Sequence, residues 1–233
     1  MLRTRFLFTM LFSFFYFIPI FAAQNPSFVQ NFQNALRKME KHKSFQCDFH
    51  QELYSILRDK VSLSQGFVKI QSPQKFYFQI QQPQEEIYVS NGVDFWKYVP
   101  ELKHAQHLQS NALQMSFLSL LTNPSSLTKL YKVSPWLNVT VTGQKINSTP
   151  VQSDAPPAEN AESVGLMLQP KEDNSQKILY AIINVDKGFL EELRIVQKNG
   201  NRVRLLFSNQ LDKKFGLRDF TFEPPQGIVV DKN

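Results

Sequence analysis

Short runs in which apolar side chains alternate with polar ones recur along most of the chain, and this pattern is typical of strands with one buried face. In the first run, Phe45, Cys47 and Phe49 share one face. Further strands are predicted at residues 66–70, 76–80, 87–89, 95–98, 137–141, 189–196, 202–211 and 220–222. The segment 178–185 is nearly continuously apolar, which indicates a strand covered on both faces. Asn91-Gly92 and Asn199-Gly200 mark hairpin turns between runs. The sequence therefore predicts an antiparallel meander of about ten strands, large enough to curl around a ligand cavity.

Three segments instead carry apolar residues at helical spacing. They span residues 26–39, 112–121 and 125–131. The apolar side of the first includes Phe32 and Leu36, and that of the second includes Phe117, Leu120 and Leu121. We predict a mainly β fold with about three helices that cover the sheet.

The N-terminus is predicted to be a secretory signal peptide spanning residues 1–23. Arg3 and Arg5 precede an uncharged apolar stretch over residues 6–21, which is shorter than the roughly 20 residues that a membrane-spanning helix needs. Removing this segment lowers the formal net charge from +6 to +4, too little to indicate nucleic-acid binding. The remainder, residues 24–233, is expected to be a single domain with a polar, flexible loop at residues 144–163.

Candidate catalytic groups are few. His104 and His107 could bind one metal ion if they were helical, but two solvated loop histidines are the favoured interpretation. Cys47 lies on an apolar strand face and is expected to be a buried hydrophobe. Glu85 and Glu86 are adjacent on a strand, so they point to opposite faces. No glycine-rich nucleotide loop is present. We therefore expect neither enzymatic activity nor a metal or cofactor.

Several motifs resemble the outer-membrane lipoprotein carrier family, LolA, of Gram-negative bacteria. They occur in the family's order on a chain of suitable length, and together they cover residues 26–231. They are Ser44-Phe45, Phe49-x-Gln51, Gly66, Ser72-Pro73-Gln74-Lys75-Phe76-Tyr77-Phe78, Gln82-Pro83, Val89-Ser90-Asn91-Gly92, Trp96-x-Tyr98, Leu168-x-Pro170-Lys171 and Phe220-x-Phe222-x-x-Pro225-x-Gly227.

The resemblance implies a half-open antiparallel β-barrel whose mouth is covered by helices, with an apolar cavity between them. It also implies a monomeric periplasmic chaperone that takes up the acyl chains of lipoproteins. In this family an inner-membrane ABC transporter loads the carrier, and an outer-membrane acceptor receives the cargo.

The expected cavity residues combine the apolar faces described above with positions that match the family's sheet and covering helix. They are Phe32, Leu36, Phe45, Phe49, Phe76, Phe78, Ile80, Val89, Trp96, Phe117, Leu120 and Leu121. By resemblance, Phe76 also contributes to docking with the loading transporter. Ser72 occupies a position where the family commonly has an arginine that holds the helical lid, and Tyr77 replaces a second frequent arginine.

Two other functions remain open on sequence alone. A lipopeptide- or peptide-sensing regulatory module could use the same fold, because fold does not determine function. An exported hydrolase with widely separated catalytic residues is the second alternative. The short tail after Gly227 and the lack of a catalytic motif favour the carrier.

Overall fold

The computed structural model describes residues 26–108, 118–136, 162–171 and 177–232. Within them lie three α-helices and twelve strands. The helices are α1 (Pro26–Met39), α2 (Leu118–Thr122) and α3 (Leu127–Leu130). The strands are β1 (Ser44–Ser55), β2 (Lys60–Gln71), β3 (Lys75–Gln82), β4 (Glu86–Asn91), β5 (Phe95–Val99), β6 (His104–Leu108), β7 (Tyr131–Pro135), β8 (Ser163–Pro170), β9 (Ile178–Asn184), β10 (Leu190–Val196), β11 (Arg202–Asp212) and β12 (Val229–Lys232).

All twelve strands belong to one sheet, in the order β12-β6-β5-β4-β3-β2-β1-β11-β10-β9-β8-β7. Neighbours are antiparallel except for β12 and β6, which are parallel. The pairing of β1 with β11 joins the two meanders, with Phe49 opposite Phe207. Since β12 and β7 form the two edges, the sheet built by the described strands is open rather than closed.

The two faces of this sheet differ, and we name them by what covers them. The inner face carries Phe45, Cys47 and Phe49 of β1, which are buried in the same cluster as residues of the helices. Ala35 and Met39 contribute to that cluster from α1. The outer face carries the intervening residues. Within the described residues, no helix is long and apolar enough to cross a bilayer.

Strands β2 and β3 approach unusually closely at Gly66. A Cβ atom at this position would lie 1.8 Å from the backbone oxygen of Gln79, so a larger residue would force the two strands apart. The register also shifts between Gln65 and Gly66. Glycine in a strand commonly marks such a close approach. This contact holds β3 close to β2, which separates β3 from β1 in the sheet.

The structure confirms the mainly β fold with few helices and an unclosed sheet, but it contains twelve strands rather than about ten. The interpretation of His104 and His107 as loop residues is wrong, because both lie on β6. The strand predicted at residues 220–222 is also wrong. That region follows a 3-10 turn, Leu217–Phe220, and the last strand is β12. The strand predicted at residues 137–141 lies outside the described residues, as does nearly all of the predicted loop at 144–163.

Candidate functional site

An aromatic layer covers the inner face where β1 and β3 approach each other. The rings of Phe49 and Phe78 stack with centroids 4.3 Å apart and planes inclined by 13°. The ring of Phe76 meets that of Phe95 edge to face at 5.5 Å. Such pairs contribute about 0.5–1.5 kcal/mol beyond the burial of their area. All four rings are buried, so this half of the inner face offers a broad apolar surface.

Aliphatic side chains continue the inner face across β8 to β11. Leu166 faces Ala181 across β8 and β9, and Leu193 faces Leu205 across β10 and β11. These residues belong to the same buried cluster as the phenylalanines. The inner face is therefore apolar on both sides of the β1–β11 pair, with rings on one side and mostly branched aliphatic residues on the other.

Residues of helices α1 and α2 pack against this apolar surface. Met39 of α1 and Leu121 of α2 line a cavity together with Phe45 and Leu190. Its volume is about 10 Å³, close to the minimum that holds one water molecule. An acyl chain could enter here only if the helices moved away from the sheet.

Polar contacts fix the C-terminal end of α1 to the sheet. The ammonium group of Lys38 donates to the backbone oxygen of Asp186 at 2.7 Å. The ring of His42 lies with Nδ1 2.8 Å from the Asp212 carboxylate and Nε2 2.8 Å from the backbone oxygen of Lys187. It also stacks on Phe189 at 4.1 Å. The end of α1 is therefore held by the β9–β10 turn and by the end of β11.

The region near the start of α1 contacts the core through aromatic rings. Phe28 and Phe32 lie nearly parallel, with centroids 6.2 Å apart. Both are only partly buried against the core cluster. Ser72 lies near the other end of the helix, where its backbone N–H donates to the backbone oxygen of Lys43 at 2.8 Å. The position where the family commonly has arginine thus adjoins the connection between α1 and β1.

The family model for the outer membrane lipoprotein carrier protein LolA matches residues 40–156, just over half of the chain. The chain belongs to the LolA family. Across 196 residues it is 24% identical to an outer-membrane lipoprotein carrier protein of Aliivibrio salmonicida (strain LFI1238), covering 83% of this chain and 86% of that protein. A protein of the same name from Vibrio parahaemolyticus is 25% identical over 217 residues, or 92% of this chain and 90% of that one.

One solved structure has a similar fold. The structure of an uncharacterized conserved protein from Thermus thermophilus superposes with a TM-score of 0.51 at 10% sequence identity. The match covers 88% of this chain and all of that one. The family description is that of an outer membrane lipoprotein carrier protein, and this chain has an open, mainly β architecture.

Most of the cavity residues expected for a LolA protein come together on the inner face or on the helices that cover it. Phe45, Phe49, Phe76, Phe78, Leu120 and Leu121 belong to the buried cluster. Phe32 and Ile80 are partly buried against this cluster, and Leu36 is half-buried on α1. Phe117 lies outside the described residues. Which of these side chains contact cargo remains a prediction.

Val89 and Trp96 are not brought together with the other expected cavity residues. Phe78 pairs with Tyr88, so Val89 falls on the outer face beside its partner Tyr77. Trp96 pairs with Val89 and therefore shares that face. Because Tyr88 and Val89 are adjacent and both apolar, the alternation in β4 does not show which one faces the helices. Tyr88 and Phe95, which were not among the expected cavity residues, lie on the inner face instead.

Phe76 is completely buried beneath Phe95 and the neighbouring core. A docking contact made by its ring would therefore require the core around β3 and β5 to open. Cys47 is buried as the sequence predicts, and burial raises the pKa of its thiol, which stays neutral. Among the described residues, no group of three or more histidine, cysteine or acidic side chains could hold a metal ion.

A second aromatic cluster lies on the outer face, where residues 213–228 (here the C-terminal segment) cross β3 to β5. The ring of Phe222 lies 5.6 Å from Trp96 and 5.2 Å from Tyr98. The Lys69 ammonium donates to Asp219 at 2.8 Å. This bond, followed by one from the backbone N–H of Gly216, lowers the pKa of the Asp219 carboxyl. The C-terminal segment therefore covers Trp96, which the sequence had placed in the cavity.

A buried ionic network occupies another part of the outer face. Glu192 accepts two bonds from the Arg204 guanidinium, at 2.9 and 3.1 Å, and also pairs with Arg194. Arg204 lies 3.6 Å from Glu52 of β1. The hydrogen bonds that Arg204 donates to Glu192 raise the pKa of its guanidinium. Because removing one partner would leave an uncompensated buried charge, loss of any one of these side chains would destabilise the joint between β1, β11 and β10.

Proposed function

We propose that this protein is a periplasmic chaperone that binds the acyl chains of lipoproteins released from the inner membrane and carries them to an acceptor in the outer membrane. The observation that carries the proposal is the continuous apolar inner face, against which residues of two helices are buried. The names of the relatives support the same cargo.

The physical requirement for such a carrier follows from the hydrophobic effect. Each methylene removed from water contributes about 0.8 kcal/mol, so a 16-carbon chain exposed to water costs on the order of 12 kcal/mol. Cargo with two or three such chains needs an apolar surface that it can leave again. The rings of Phe49 and Phe78 and the leucines of β10 and β11 offer such a surface when the helices move away.

Closure of the empty protein makes this binding reversible. In the closed state, Met39 and Leu121 occupy the space that cargo would use. Cargo must therefore compete with these contacts, and its apparent affinity falls with the fraction of molecules that are open. A carrier of this kind can receive acyl chains from one membrane partner and release them to another without holding them as tightly as a bilayer does.

The proposed partners follow from the family resemblance. An inner-membrane ABC transporter would deliver cargo, and an outer-membrane lipoprotein acceptor would receive it. The net charge of +4 expected after removal of residues 1–23 gives no reason to propose nucleic acid as a partner.

The proposal can be tested by purifying the protein from a periplasmic fraction and identifying bound molecules by mass spectrometry. We expect acylated lipoproteins. Non-lipidated peptides would instead support a sensing module, and absence of the protein from the fraction would contradict the proposed location.

Two phenylalanine variants then test the inner face directly. Phe78→Gln changes the aromatic layer, whereas Phe222→Gln changes a ring on the outer face and serves as the control. We expect Phe78→Gln to lower lipoprotein binding more than tenfold, with a much smaller effect of Phe222→Gln at comparable thermal stability. Equal losses of binding in the two variants would contradict an inner-face site.

A further inference from the structure

The turn between β1 and β2, residues 56–59, exposes two large apolar side chains. Leu57 is 92% exposed and Ile56 is 54% exposed, although the neighbouring strands are paired in the sheet. We call this turn the hairpin tip. Exposed apolar residues grouped at one protruding point commonly mark a site of interaction rather than a packing role.

Local contacts hold the hairpin tip in one shape. The backbone N–H of Ile56 donates to the side-chain oxygen of Asn201 at 3.1 Å. The neighbouring β10–β11 turn adopts a left-handed conformation at Gly200, where a Cβ atom would lie only 2.7 Å from the Ile56 side chain. Ile56 therefore supports the tip against this turn, while Leu57 is left in solvent.

The charges around the hairpin tip are mostly positive. Arg58 and Lys60 flank Leu57 and are exposed, and Lys198 is exposed on the adjacent turn. The acidic residue of the tip, Asp59, accepts a hydrogen bond from the Tyr54 hydroxyl at 2.9 Å. An exposed leucine among basic side chains fits a surface that presents both an apolar layer and negative charges.

An apolar path connects the tip with the inner face. Leu53 of β1 pairs with Val203 of β11, and Val203 pairs in turn with Ile195 of β10. The three side chains therefore form one row across the sheet. Val203 and Ile195 are partly buried against the core cluster, and Leu53 is partly exposed. This row lies between the core and the hairpin tip, so the apolar surface continues toward the tip.

We propose that the hairpin tip binds the surface of an anionic phospholipid bilayer, with Leu57 entering the interface and Arg58 and Lys60 contacting lipid phosphates. The geometry brings the row at Leu53, and with it the inner face, next to the membrane. This contact goes beyond the carriage of acyl chains, since it concerns the empty protein and the lipid itself.

The test uses a fluorescent label on the hairpin tip of the purified protein. Cys47 is the single cysteine of the chain, and it is buried, so a new surface cysteine can be labelled selectively. Leu57→Cys carries an environment-sensitive dye at the tip. Leu217→Cys carries the same dye on another exposed leucine, which is 79% exposed in the C-terminal segment. The vesicles contain phosphatidylethanolamine and phosphatidylglycerol, or phosphatidylcholine alone.

We expect a blue shift of the dye at position 57 with the anionic vesicles and no shift at position 217. Leu57→Ser in the unlabelled protein should weaken sedimentation with these vesicles about tenfold. Arg58→Gln together with Lys60→Gln should weaken it about thirtyfold, and added salt should have a similar effect.

Three results would overturn the proposal. Equal dye shifts at positions 57 and 217 would indicate unspecific adsorption. Absence of a shift at position 57 would exclude insertion of the tip. If Leu57→Ser blocked cargo delivery while the protein did not bind vesicles, the tip would contact a protein partner instead. The two dye results do not depend on whether lipoproteins co-purify, so failure of this proposal can be told apart from failure of the proposed function.

Discussion

Replacing Leu121 by alanine tests whether the covering helices control access to the inner face. Leu121 is 3% exposed and lies against Met39, Phe45 and Leu190 around the small cavity beneath the helices. Truncation of a buried leucine costs about 2–5 kcal/mol. If the substitution destabilises the closed state by about 2 kcal/mol and leaves the open state unchanged, the population of open molecules rises about thirtyfold.

Ile182→Ala provides a matched control on the opposite face. Ile182 is also buried, but it pairs with Gly165 and Glu192 on the outer face, away from the helices. Both substitutions are expected to lower the free energy of unfolding by about 2–5 kcal/mol. In a domain of this size, each should lower the melting temperature by roughly 4–20 °C.

Binding of an apolar fluorescent dye to cargo-free protein at 25 °C distinguishes the two variants. We expect Leu121→Ala to increase dye binding several-fold, because the inner face is exposed more often. Ile182→Ala should leave it close to that of the parent protein, provided that both remain folded by circular dichroism. Equal dye binding in the two variants would refute a helical lid that depends on Leu121.

Two further predictions concern contacts near the helices and the C-terminal segment. Ser72→Arg adds several hydrogen-bond donors beside the connection between α1 and β1. One charge-assisted hydrogen bond contributes about 1.5–3 kcal/mol and should lower dye binding about tenfold. Ser72→Gln is the control, and unchanged dye binding in Ser72→Arg would contradict the prediction. The lowered pKa of Asp219 means that its bond to Lys69 stabilises the fold above the ordinary carboxyl pKa of 3.8 and that this stabilisation is lost as the pH falls through the lower folded value. Urea unfolding should therefore depend less on pH below about 4 in Asp219→Asn than in the parent protein, and identical profiles would show that the bond is not formed.

Strands with a clear two-residue period could be predicted from the sequence, as β1 and β3 show. In β1, Phe45, Cys47 and Phe49 are buried at every second position, and in β3, Phe76 and Phe78 are buried on either side of Tyr77. The end of β3 is marked by polar residues, and Asn91 and Gly92 mark the turn after β4. The local sequence was sufficient to predict these strands because one face of each is strongly apolar.

Elements that depend on distant partners could not be predicted in this way. β6 contains two histidines and a glutamine, and it is a strand because it pairs with β5 and β12. The alternation of Phe220 and Phe222 suggested a strand, yet both rings pack on the outer face from a segment that forms no ladder there. The same limitation explains Trp96. Its type indicated burial, but the face on which it lies depends on the register of β5 with β4.

The pairing of β1 with β11 has a consequence for the synthesis of the protein. β1 is the first strand to leave the ribosome, whereas β11 is the last long one, and the two form the centre of the sheet. Until β11 is available, β1 has a free edge, and the phenylalanines of β1 and β3 lack the leucines on the other side of the joint. Pairing between such distant segments is slow and leaves intermediates prone to aggregation. The nascent chain is therefore expected to need protection of its N-terminal half by a holding chaperone until nearly all of its residues have been made.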